Sequence, residues 1–210
     1  MNIQSIIRIG AVGMVISGAA LGYSYVSHPH DMTPDVIASR SWFIIHFLFA
    51  LSLVLGLMGT TALYAPTAER AGWTGLIGFS TLFVGMMMIF GLDYYEFLIA
   101  PFLAVNYPDV IQDHGAGDAM GPVAFAFPAA GVLTVVGYAV VSFAWMRAQV
   151  LPKIVAVAMI LSSIAFGTGL SPAGSLMIAR VTAAAFGASL IAIGITALLS
   201  LRGKTTNAWV

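Results

Sequence analysis

His46 lies one helical turn after Trp42 and is the only histidine inside an apolar stretch of this chain. An imidazole exchanges a proton near neutral pH, and an ionisable residue within a membrane-type run is a functional candidate by default. The structural alternative is a neutral ring hydrogen-bonded to a neighbouring helix. Asp93 and Glu96 are three residues apart, on one face of a helix. Two carboxylates so placed could hold a hard cation, share a proton or act as acid and base, and the plainer alternative is a solvated helix end. His46, Asp93 and Glu96 are therefore the candidate catalytic residues.

Arg40 and Arg180 are the only bases beside these groups. Either could pair with Asp93 or Glu96, or hold a carboxylate or phosphate in its guanidinium fork. With Trp42, Tyr94 and Tyr95 as an interfacial aromatic belt, they form the candidate ligand-binding set. His28, His30 and Asp31, with His114 from a later loop, are the densest cluster of metal-type ligands, suited to zinc or copper. Two histidines in a polar loop also occur without a metal, and the spacing matches no known ligand motif. Met86, Met87 and Met88 are consecutive, so they point in different directions around a helix and read as packing.

Such residues need elements to hold them, and composition says which. Hydrophobic residues make up 60% and charged residues 8% of the 210, with mean hydropathy +0.99, whereas soluble domains carry about 25% charged residues. Six continuous apolar runs, 6–26, 42–64, 73–92, 123–146, 154–170 and 181–201, are close to the roughly 20 residues a spanning helix requires. A barrel would need alternating segments of about 10 residues. The expectation is an all-α, six-span transmembrane helical bundle forming a single domain over 1–210, integral to the cell (inner) membrane. The first run is too long for a signal-peptide core and is read as a span.

Loop lysines and arginines set the orientation. With Arg8 in the cytoplasm, Arg70, Arg147, Lys153, Arg202 and Lys204 fall on the same side, and both termini are cytoplasmic. Asp31, Asp35, Asp93, Glu96, Asp109, Asp113 and Asp118 then fall outside, leaving Glu69 as the one cytoplasmic acid. Zero net charge gives no reason to expect nucleic acid. The absence of cysteine excludes disulfides, thiolate metal sites and covalently attached c-type haem.

Gly18 and Gly22, and Ala183 and Gly187, are small-xxx-small pairs that let helices approach closely, within the chain or in a homo-oligomer. Segments 55–92 and 133–170 align without gaps at an offset of 78, which suggests duplication of a two-helix hairpin; two apolar hairpins resemble each other by chance as well. The segment 97–121 reads as an extracytoplasmic loop opening with a short re-entrant or interfacial piece at 97–107, ended by Pro108. Pro128 should kink the fourth span near the same surface.

No phosphate loop, Ser–His–Asp ordering, zinc-protease motif or mid-span lysine is present, and no cofactor is identified. The leading expectation is a polytopic protein that binds a lipophilic ligand, such as a membrane lipid, or a partner membrane subunit, at an extracytoplasmic polar site. The alternatives are an enzyme acting on a lipid or isoprenoid by acid/base chemistry, and a metal- or haem-binding subunit of an electron-transfer complex.

Overall fold

The computed structural model describes residues 2–112, 122–170 and 175–202. Those residues form helices and turns, with no strand among them. The α-helices are α1 (Ile3–Ser27), α2 (Pro34–Ile37), α3 (Arg40–Tyr64), α4 (Ala68–Tyr94), α5 (Ala100–Asn106), α6 (Pro108–Ile111), α7 (Pro122–Arg147), α8 (Lys153–Gly169) and α9 (Leu176–Arg202). Each apolar run read from the sequence falls on its own helix.

Local chemistry sets the boundaries. The Asn2 side chain caps α1 by accepting from the Ser5 amide at 2.9 Å, and Ser39 caps α3 by accepting from the Trp42 amide at 3.3 Å. A short turn, Ala65–Thr67, joins α3 to α4. Gly72 then takes φ 58° and ψ −157°, a conformation essentially restricted to glycine, so the regular part of α4 begins at Trp73. Pro152 immediately precedes α8.

Among the described residues four helical segments are long and apolar enough to cross a membrane: Ile3–Ser27, Arg40–Asn106, Phe125–Arg147 and Leu176–Leu201. The second of these contains both α3 and α4, which fold back on each other through the 65–67 turn. Helix α8, apolar but only 17 residues long, is shorter than the rest. Their outward residues are apolar too: Ile9 is 60%, Ile77 60% and Leu161 63% exposed. So continuous an apolar exterior is foreign to a soluble monomer and suits lipid.

The long helices close a ring in the order α1, α3, α4, α7, α8, α9 and back to α1, with α4–α7, α1–α9 and α1–α3 the most extensive contacts. Glycine permits the closest of them. A Cβ at Gly18 would collide with the carbonyl oxygen of Gly187, and one at Gly137 with the backbone of Leu82. The Gly18 and Gly187 faces thus meet each other within one chain. At one end of the ring, the Trp145 indole donates to Thr67 Oγ1 at 3.0 Å, fixing the α3–α4 turn against α7.

Two sequence expectations change. The 97–107 piece is neither a loop nor detached from the third span, because α4 continues through a π-turn, Tyr95–Ile99, into α5. Apolar residues carry it on: Ala100, Ala104 and Ile111 bury with Ile37 and Trp42 in a small second core that joins α5 and α6 to α2. The gapless duplication also fails in register. An offset of 78 carries the 65–67 turn onto 143–145, inside α7, whereas the α7–α8 turn follows Arg147. Pro128 lies inside α7, which stays helical on both sides of it.

Candidate functional site

Alternation of the ring helices brings the C-terminal ends of α1, α4 and α8 together with the N-terminal ends of α3, α7 and α9. His46, on the second turn of α3, meets Asp93, on the last turn of α4, with Nδ1 to Oδ1 2.7 Å. Both are buried, at 8% and 3% exposure. A carboxylate only accepts, so the bond to an ionised Asp93 runs from His46 Nδ1–H to Oδ1. The carboxylate then fixes the ring and leaves Nε2 outside the pair. Neither Nε2 of His46 nor Oδ2 of Asp93 has a hydrogen-bond partner among the described residues, which is costly for buried polar atoms.

Around this pair the aromatic groups are fixed in turn. The Trp42 ring lies 4.5 Å from that of His46, and its Nε1 donates to the Glu96 backbone carbonyl at 2.8 Å, tying α3 to the π-turn. His28, just past α1, stands with its ring 5.3 Å from His46, and its Nδ1 donates to the Pro29 carbonyl at 2.8 Å. Arg180 of α9 donates through a terminal nitrogen to the His28 carbonyl at 2.6 Å. Burial holds the His28 pKa below its ordinary 6.5; the Pro29 bond and Glu96 oppose that shift, while His46 and Arg180 add to it. His28 is neutral at pH 7.

These groups border a cavity of about 390 Å³, lined by His28, His30, Trp42, His46, Asp93 and Glu96 with Tyr25, Phe49, Phe127 and Leu170. A second cavity, of about 380 Å³, lies deeper, lined by residues of all six ring helices and almost wholly apolar. Tyr25, Phe49, Phe127 and Leu170 border both. The molecule therefore has an outer chamber that carries histidines and carboxylates in a largely apolar wall, adjoining an inner one that carries neither. Each falls in the size range of small-molecule sites.

Of the residues singled out by sequence, His46, Asp93, Glu96 and Trp42 come together here, and Asp93 takes His46 rather than an arginine as its partner. Arg180 stands next to the chamber through its bond to His28. Arg40 is exposed at the start of α3 and does not line the chamber. Tyr94 faces outward at 46% exposure, and Tyr95 packs on the second core. Of the proposed metal ligands, His28 turns inward with its ring against His46, while His30 contacts Asp31 at 3.1 Å with both side chains exposed. Among the described residues no group of three or more histidines and carboxylates is placed to hold a metal, and His114 lies outside them. Met86 is buried and Met87 exposed, as consecutive helical positions require.

Sequence reasoning passed over Tyr25, Phe49, Phe127 and Leu170. Nothing local distinguishes them from core aromatics and aliphatics, and only the ring closure makes them shared walls. Comparison with family models, with curated proteins and with solved structures returns no match to this chain.

Proposed function

We propose that this chain is a six-span membrane protein that binds a lipophilic molecule, head in the outer chamber against His46 and Asp93, tail in the inner one. The observation that carries this reading is the adjacency of the two chambers: a buried polar pair with unfilled hydrogen-bonding capacity lines one, and an apolar space of similar size shares four of its wall residues. In this reading α1, α3, α4, α7, α8 and α9 cross the cell membrane. Arg8, Arg70, Arg147 and Lys153 lie in the cytoplasm, both termini with them, and the outer chamber faces the extracytoplasmic side.

Mass spectrometry of lipid extracted from protein purified in mild detergent tests it. A specific amphiphile should co-purify near stoichiometrically. Gly131 borders the inner chamber, and a Cβ added there meets nothing within 4 Å. Gly131→Phe should therefore fill the tail space and reduce the bound amount at least tenfold while the protein stays folded. Unchanged occupancy would sink the reading.

The buried, carboxylate-oriented imidazole also favours a second reading, acid/base catalysis on that molecule, because a His–Asp pair is the arrangement that makes Nε2 an effective base. Conversion of the co-purified molecule by wild type, lost in both His46→Gln and Asp93→Asn, would establish it. Return of the ligand unaltered would leave binding alone.

A further inference from the structure

His46 and Asp93 line the outer chamber, and the one atom of each that has no partner among the described residues restricts the head group. His46 Nε2 changes role with a single proton: it accepts when the ring is neutral and donates when the ring is charged. An ionised Asp93 offers only lone pairs at Oδ2, whichever role Nε2 takes. A head bearing only acceptors, such as a carbonyl or an ether, would leave Oδ2 desolvated and unpaired, which a buried carboxylate tolerates poorly. A head carrying an O–H satisfies it. The same chamber is walled by Tyr25, Trp42, Phe49 and Phe127, whose rings favour edge-to-face or offset contact with another ring.

Resting on the binding reading above, we infer that the site selects a lipophilic phenol or hydroquinone, whose hydroxyl donates to Asp93 Oδ2, whose ring packs among these aromatics and whose alkyl or isoprenoid tail occupies the inner chamber. Sites built to pair a hydroxyl discriminate strongly against analogues lacking it.

The test compares two probes on the wild-type protein in detergent by isothermal titration calorimetry: a decyl-substituted hydroquinone and its dimethyl ether, equal in tail and nearly equal in shape. The hydroquinone is expected to bind at least tenfold more tightly, and Asp93→Asn, whose amide can itself donate to the ether oxygen, should narrow or reverse that preference. Equal affinity for the two probes would overturn the donor requirement while leaving the two-chamber binding reading in place. If a lipid co-purifies but neither probe binds, the aromatic head is wrong. If neither probe binds and no lipid co-purifies, both readings fall together. The two-probe comparison needs no variant, so a folding defect in Asp93→Asn cannot rescue the inference.

Discussion

Removing the Asp93 carboxylate would leave the His46 Nδ1–H buried without its 2.7 Å acceptor. Breaking a buried pair in this way costs roughly 3 kcal/mol or more, so Asp93→Ala should clearly lower the midpoint of thermal unfolding in detergent. The cost should not add to that of His46→Ala: a double-mutant cycle is expected to show a coupling of about 1–3 kcal/mol, and additive effects would mean that the pair is not a unit. His28 carries a separate expectation. Its folded-state pKa lies below 6.5 because the ring is buried, so between the folded and unfolded values the unfolded chain binds more protons. Its contribution to stability is then full above about pH 6.5 and is lost as the pH falls from there through the lower folded value. Melting midpoints recorded from pH 7.5 to 5 should decline, and His28→Asn should flatten part of the slope.

The same glycine-to-alanine change should have opposite signs at two places on the ring helices. A Cβ at Gly137 meets the backbone of Leu82, whereas one at Gly91 meets nothing within 4 Å. Gly91→Ala should stabilise by up to about 1 kcal/mol through helix propensity. Gly137→Ala should destabilise by about 1–3 kcal/mol, because helices α4 and α7 must separate to admit the methyl. Thermal unfolding of the two variants side by side decides it; like signs would contradict the α4–α7 contact. The helices themselves were legible, since runs such as 42–64 and 73–92 need nothing beyond hydropathy. The continuation of α4 past Asp93 was not, because Tyr94, Tyr95 and Glu96 look like an interfacial ending. Only the burial of Ala100, Ala104 and Ile111 against Trp42, from distant segments, turns the sequel into helix.

For the molecule as a whole, ring closure determines which sequence candidates become neighbours. His46 and Asp93 stood out individually as ionisable groups in or beside apolar runs, yet their pairing required the α3–α4 hairpin to be folded. Arg40 looked equivalent to Arg180 by position and charge, but lies on an outward face of its helix. The proposed orientation can be tested directly because the chain has no cysteine. Asp31→Cys should react with an impermeant maleimide added to intact cells, and Ala148→Cys only after lysis. The reverse pattern would invert the topology.

Tyr25 borders both chambers and stands edge-on between two rings, with centroids 5.3 Å from Phe49 and 4.9 Å from Phe166. A guest with its head on one side and its tail on the other has to thread past that phenol ring, so under the proposed reading the residence time of the guest is set by how often the ring swings aside. Trimming it in Tyr25→Ala should accelerate arrival and departure together, leaving the dissociation constant far less altered than either rate.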